Sequence, residues 1–258
     1  MTRLTGVPIL DYHRIVAATP SEAGDDRFGV RESVLRQQLQ LIRDRKMAVV
    51  APDDVAAGRA PVNTVALTFD DGYISHYDTA FRLLAEFEVS GTFFLNTSSI
   101  GTEGFLTWPM VVEMGRGGMR FGSHAHNHIV LTTLSSQRLR EELRVSREML
   151  EQRLSCPVEI LAAPYGFCNQ HVLEAAWESG YRVLCTSKPW PAQNGERVLS
   201  RVGVLEQTSL EDFRKLLEND AAMYLRLWGR DRALAIPRYV FVRLRPELLG
   251  VRTAEMGQ

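Results

Sequence analysis

Two adjacent carboxylates, Asp70 and Asp71, close an apolar run at Thr68-Phe69 and are followed by Gly72, which can take a backbone conformation other residues avoid. Two such charges side by side repel unless something separates their roles. A cation does so by binding one carboxylate and leaving the other to accept a proton from water. A second cluster, His124-Ala125-His126-Asn127-His128, lies further along the chain. If that segment coils into a helical turn, His124 and His128 stand at i and i+4 on one face and can chelate one ion. Asp71 with two neutral imidazoles then makes three protein ligands and leaves a position open for water, as catalytic zinc sites do. His126 falls off that face, toward solvent or behind the ligands. Taken singly, each cluster has a plain alternative, a solvated Asp-Gly turn or a histidine-rich surface loop. Together they favour one site if the fold brings them to one place.

The elements that must position them follow from the hydrophobic pattern. Short runs rich in β-branched and aromatic residues alternate with longer amphipathic stretches, the pattern of repeated β-α units around a mainly parallel sheet. Strands are predicted over 8–12, 47–50, 65–69, 92–95, 119–122, 159–162, 182–185 and 201–204. The clearest helix is 135–154, where Leu139, Leu143, Leu150 and Leu154 form a stripe behind a Ser135 cap; 209–217 is a shorter one. The unusual polar residues fall at strand ends: His13 after the first, Asp70 and Asp71 after the third, Ser123 and His124 after the fifth, Pro164-Tyr165-Gly166 after the sixth. In a closed β/α barrel those ends share one rim, where active sites are built.

These residues resemble the polysaccharide deacetylases with the NodB homology domain, carbohydrate esterase family 4. Thr68 to Gly72 is similar to the first motif of that family, and Gly122 to His128 with Leu131, Leu134 and Ser135 to its second. Ala162-Ala163-Pro164-Tyr165-Gly166 looks like the third. The resemblance runs from about Val7 to Leu217 and implies a distorted (β/α)7-8 barrel of the NodB type. It implies Asp70 as general base, Asp71, His124 and His128 as metal ligands, and the Tyr165 backbone N–H as an oxyanion donor. Two departures stand out. The family's third motif begins with an arginine that orients the catalytic aspartate, where this chain has Ala162, and the late Leu-x-His motif that supplies a general acid is missing. Tyr12-His13-Arg14 resembles the Tyr-His segment of the branch that trims exopolysaccharides such as poly-N-acetylglucosamine, which makes His13 the candidate acid; a structural histidine bonded to a backbone carbonyl is the alternative.

The implied cofactor is a divalent metal, by default zinc, with cobalt, nickel or manganese also compatible with Asp-His-His ligation. The implied reaction is hydrolysis of the N-acetyl group of an amino sugar in a polysaccharide, oligosaccharide or glycan precursor. A small amide or imide hydrolase on the same scaffold, and a catalytically silent sugar-binding relative, are the alternatives. Trp108 and Trp190 suit either stacking on a sugar or packing.

Bulk properties bound this reading without sharpening it. A chain of 258 residues, 45% apolar, can bury one large core, and a net charge of -1 gives no global pull toward nucleic acid. Cys156, Cys168 and Cys185 are odd in number with no CxxC pair, so neither a disulfide framework nor a thiolate zinc site is expected. Residues 1–217 are read as the catalytic barrel. Residues 218–258 read as a basic, aromatic helical tail in which Met223, Tyr224, Leu225, Leu227 and Trp228 mix with Arg226, Arg230, Arg232, Arg238, Arg243 and Arg245. It either packs on the barrel with snorkelling arginines or meets a membrane surface or partner. With no apolar stretch of signal-peptide or membrane-span length, a cytoplasmic location, peripheral to the membrane through the tail, is the expectation.

Overall fold

The computed structural model describes residues 2–16 and 28–244, with side chains as far as residue 233. Arg238, Arg243 and Arg245 of the tail therefore lie outside the described side chains. In chain order the elements are β1 (Ile9–Tyr12), β2 (Ile15–Val16), β3 (Val30–Arg31), α1 (Glu32–Asp44), β4 (Ala48–Val50), α2 (Pro52–Ala56) and β5 (Thr64–Phe69). A π-helical segment (His76–Phe81) runs into α3 (Arg82–Glu86), then β6 (Thr92–Leu95), α4 (Trp108–Arg116), β7 (Arg120–Ser123), α5 (Ser136–Leu154), β8 (Ile160–Ala162) and α6 (Gln170–Glu178). The chain continues through β9 (Val183–Thr186), β10 (Val198–Ser200), β11 (Val202–Gly203), α7 (Leu210–Leu217) and α8 (Ala221–Leu244).

The strands form one parallel sheet in the order β10-β9-β8-β7-β6-β5-β1-β11, with β4 beside the start of β5. β10 pairs with β9 and β11 with β1, and Arg201 alone separates the two. One segment thus lies against both ends of the sheet and closes it into a distorted β/α barrel. The predicted strand over 201–204 is the second half of this segment. Its first half, 198–200, is missed because Val198 is exposed and the run is short. The paired β2 and β3 are missed for the same shortness.

Strands buried on both faces read as continuous apolar runs, and β5, β6 and β9 are buried at every position. α5 begins where the Ser135 hydroxyl accepts a hydrogen bond from the Arg138 N–H at 3.5 Å, and ends at left-handed Ser155 (φ 54°). Its Leu139, Leu143 and Leu150 are buried, and so are Glu142 and Ser146 on the same face. α8 anchors through buried Met223 and Tyr224, while Leu225 and Trp228 are exposed. Trp190 packs edge-on against Tyr224, and Trp108 lies under the Arg153 guanidinium, so both tryptophans take packing roles. Among the described residues no helix is long and apolar enough to cross a membrane.

Gly122 in β7 is where the barrel wall is tightest near the histidine cluster: a Cβ there would meet Phe94 Cε1 at 2.5 Å and Ile160 Cγ2 at 2.9 Å. Gly122→Ala is therefore expected to lower stability by about 1–3 kcal/mol through overpacking. Urea unfolding followed by circular dichroism checks this, and wild-type stability in the variant would contradict the packing described.

Candidate metal centre and active site

Every polar residue singled out at a strand end reaches the same rim. The ladder from β1 to β5 carries past the last strand residue, with Asp70 N–H donating to Tyr12 O at 2.8 Å, and β7 continues from β6 with His124 N–H donating to Leu95 O at 2.8 Å. Beyond those bonds the backbone turns sharply. Asp71 and Gly72 both have φ 80°, Ala125 φ 62°, His128 φ 54° and Tyr165 φ 59°. A left-handed conformation costs a non-glycine residue about 1–2 kcal/mol. Four such residues at one rim mark a place where neighbouring structure holds the backbone against its preference.

The expected helical turn over 124–128 is not formed. Residues 124–128 are a loop, and the left-handed Ala125 and His128 rather than an i,i+4 helical face bring the imidazoles together. α5 pins that loop: Glu142 accepts hydrogen bonds from the Asn127 N–H and, at 2.9 Å, from Asn127 Nδ2, and the Ser146 hydroxyl donates to Ala125 O at 3.0 Å. His126 points elsewhere and bonds Thr97 Oγ1 at 2.8 Å.

Asp71, His124 and His128 each offer a ligand atom within 4.8 Å of the others. His124 Nε2 is 3.4 Å and His128 Nε2 3.1 Å from Asp71 Oδ1. That oxygen is buried and has no hydrogen-bond partner of acceptable geometry. His124 Nδ1 lies 2.9 Å from Ala162 O, which requires the proton on Nδ1 and leaves the Nε2 lone pair facing the carboxylate. Burial pushes the His124 pKa down to about 4, so the ring stays neutral at physiological pH. An orphaned carboxylate oxygen opposite an imidazole lone pair is an arrangement a divalent cation satisfies, and the donor set fits one.

Asp70 stands beside this triad in a different environment. Burial works against its charge, but the Arg201 guanidinium holds its pKa below the usual carboxylate range. The contact is a two-pronged fork, Nη1 to Oδ1 at 2.7 Å and Nη2 to Oδ2 at 2.6 Å, from a fully buried arginine. Arg201 also reaches Thr68 Oγ1 at 3.2 Å and Asp11 Oδ1 at 3.3 Å. Position 162 holds alanine, and the guanidinium on Asp70 comes instead from Arg201 in the closing segment. Arg201 and Asp11 were both missed, although an arginine inside an otherwise apolar closing strand was the available signal. Burial, opposed by Arg201 and reinforced by Asp70, raises the Asp11 pKa to about 7.

His13 joins the same group, with a ligand atom within 4.8 Å of atoms of Asp11 and Asp70. Burial opposes its charging, yet the carboxylates of Asp11, Asp71 and Asp70 raise its pKa above the ordinary value. Among the described residues its ring is not bonded to a backbone carbonyl and its buried Nδ1 has no hydrogen-bond partner; instead its own carbonyl accepts from His76 Nε2 at 2.7 Å. Tyr165 lies alongside, its ring 4.6 Å from that of His128.

Fold and site together give a β/α barrel whose rim carries a triad able to hold a cation next to a guanidinium-held carboxylate. The family model for polysaccharide deacetylases matches residues 57–184. YxkH of Bacillus subtilis, which is named as a polysaccharide deacetylase, is 27% identical over 216 residues, 83% of this chain and 76% of that protein. The poly-beta-1,6-N-acetyl-D-glucosamine N-deacetylase of Escherichia coli K12 is 24% identical over an alignment that takes in 81% of this chain but 38% of that protein. Among solved structures, the Streptococcus pyogenes deacetylase PplD in complex with acetate superposes with a TM-score of 0.77 at 28% identity, over 84% of this chain and 100% of that one. IcaB from Ammonifex degensii shares the fold with a TM-score of 0.73 at 24% identity, over 84% and 97%. Residues 57–184 thus match the polysaccharide deacetylase family, and the relatives aligned over most of the chain are named as deacetylases, hydrolases acting on amide bonds.

Removing Arg201 leaves the Asp70 carboxylate buried without its partner, which costs about 3–5 kcal/mol for such pairs. Arg201→Met is expected to lose stability on that scale, and Asp70→Asn combined with Arg201→Met to lose less than the two single changes added together. A double-mutant cycle by denaturant unfolding measures this, and strict additivity would show the fork to be inert.

Proposed function

We propose that this chain hydrolyses the N-acetyl group of an N-acetylated amino sugar within a polysaccharide, oligosaccharide or glycan precursor, with a divalent metal held by Asp71, His124 and His128. The observation that carries the reading is the convergence of those three ligand atoms within 4.8 Å beside a carboxylate held by a separate cation. The relatives named for polysaccharide and poly-N-acetylglucosamine deacetylation support the substrate class. A silent sugar-binding relative was conceivable while no arginine faced the base. Arg201 on Asp70 removes that motive, since binding alone needs no oriented, ionised carboxylate.

When bound, a divalent cation supplies Lewis acidity to the acetamide carbonyl and lowers the pKa of an attacking water. The rest is done by the chain's own groups. Asp70, kept ionised and oriented by Arg201, accepts the proton of the water as it attacks the carbonyl carbon. The Tyr165 backbone N–H is the assigned donor to the developing oxyanion, a kind of contact worth about 2.7–4 kcal/mol elsewhere. His13, whose pKa its carboxylate neighbours raise, delivers a proton to the nitrogen as the C–N bond breaks. Acetate and the free amine leave. The metal-bearing pair member and the proton-accepting one are thus neighbours in sequence with different partners.

Acetate release from acetylated chito-oligomers and from poly-β-1,6-N-acetylglucosamine is expected from the purified chain, to vanish with chelator and to return with added zinc. Asp70→Asn should lower kcat by roughly a hundredfold or more, and His13→Gln by a comparable factor, the scale of general acid–base catalysis. Full activity in chelator removes the metal, and full activity in Asp70→Asn removes the base.

A further inference from the structure

The strand starts, at the opposite mouth of the barrel, surround a basin of about 990 Å³ that the deacetylation chemistry does not use. Its floor is the first residues of the staves, among them Thr92, Phe121, Ile160 and Val183, with α2 along one side. Its rim carries six arginines: Arg59, Arg116, Arg120, Arg153, Arg182 and Arg197. Carboxylates answer only half of them. Arg59 pairs with Asp54 at 2.7 Å, Arg120 with Asp53 at 3.2 Å, and Arg182 with Glu159 at 2.7 Å. Arg197 donates to the Arg182 carbonyl at 2.8 Å and lies over the Trp177 ring, and Arg153 lies over the Trp108 ring. Arg116 makes no ion pair or hydrogen bond among the described residues. Three of the six arginines that line the basin thus have no carboxylate partner among the described residues, in a chain whose net charge is -1.

We infer that this basin binds a short oligophosphate, a pyrophosphate or longer chain carried free or on a larger molecule. Its volume suits a discrete ligand, at the upper end of the usual 300–1,000 Å³ range for small-molecule sites. A flat anionic surface would instead call for a convex patch. Guanidinium groups are planar forks that match phosphate oxygens two at a time, so several of them lining one concavity favour a multiply charged phosphate over a single carboxylate. Stacking on Trp177 and Trp108 holds the Arg197 and Arg153 planes in place and lowers the ordering cost of binding. Arg120 starts β7 and His124 follows its end, so about 13 Å of strand, at ~3.3 Å per residue, separates the two ends. A ligand in the basin can be held while substrate occupies the rim.

The test is calorimetric titration of the whole chain with sodium tripolyphosphate, with orthophosphate and a glutamate-rich peptide as comparisons. Tripolyphosphate is expected to bind, to bind more weakly at high salt, and to bind equally before and after chelator treatment. Arg116→Ala/Arg153→Ala/Arg197→Ala should weaken binding by roughly tenfold or more, the scale of losing one or more charge-assisted hydrogen bonds. All three side chains are exposed, so the fold tolerates their loss. Arg140→Ala/Arg144→Ala, on the exposed face of α5, should leave binding unchanged. Binding that chelator abolishes would place the phosphate at the metal triad instead. Equal binding of the peptide, equal loss in the α5 variant, retention in the triple variant, or binding of anionic phospholipid vesicles in place of tripolyphosphate would overturn the proposal. Acetate release from the triple variant without added phosphate should equal wild type, which separates failure here from failure of the deacetylase reading.

Discussion

The barrel closes on a buried charge, and that constraint shapes the rest. Arg201 is the single residue between the strand that completes one edge of the sheet and the strand that completes the other. A guanidinium at that position is fully buried, and an isolated buried cation is far too costly to keep. It is retained because Asp70 and Asp11 come to it from the end of β5 and from β1, neighbouring strands on one side of the seam. The closure of the fold and the ionised state of the candidate base are therefore one interaction. A barrel that opened at this seam would also leave Asp70 without its partner.

The same logic separates two adjacent aspartates that a sequence alone leaves equivalent. Successive residues of an extended strand point to opposite sides, but Asp71 is past the strand and left-handed, so it turns away from the path Asp70 follows. Asp70 then meets the guanidinium and Asp71 meets imidazoles. Strain at Asp71 is matched by strain at Ala125, His128 and Tyr165 on the facing loops. Each is held by ordinary structure behind it: the Ala125–His128 loop by Glu142 and Ser146, Gly72 by the Leu106 N–H that donates to its carbonyl at 2.9 Å. Rigid elements carry the cost of loop conformations that a metal triad requires.

How much of this was legible follows from which signals are local. The α/β class, eight strands to within a residue or two, the Ser135 helix cap and the rim position of Asp70, Asp71, His124 and His128 came from periodicity, capping residues and strand-end placement. What escaped depends on pairing between distant segments or on left-handed backbone. The i,i+4 spacing of His124 and His128 suggested a helix, and two left-handed residues reach the same convergence without one. Val198 to Ser200 is too short and too exposed to read as a stave, yet it closes the barrel. Glu142 is instructive in another way. It sits on the apolar stripe of α5 with Leu139 and Leu143, a charged residue where the pattern asks for an apolar one, and such a breach marks a buried polar contact.

The first strand brings a second set of titratable groups to the rim, beside the triad. Asp11, His13 and Asp70 form a second group of titratable atoms within 4.8 Å, sharing Asp70's side of the site rather than the metal's. Burial, opposed by Arg201 and helped by Asp70, raises the Asp11 pKa to about 7. The two partners of Arg201 thus differ in kind. Asp70 is held below the ordinary carboxylate range and Asp11 above it, and the carbonyl of neighbouring His13 accepts from neutral His76. A base and an acid close to a single cation need opposite proton affinities. Here the guanidinium lies 2.6 Å from Asp70 and 3.3 Å from Asp11, which accords with an Asp70 carboxyl held below the ordinary range and an Asp11 carboxyl raised above it.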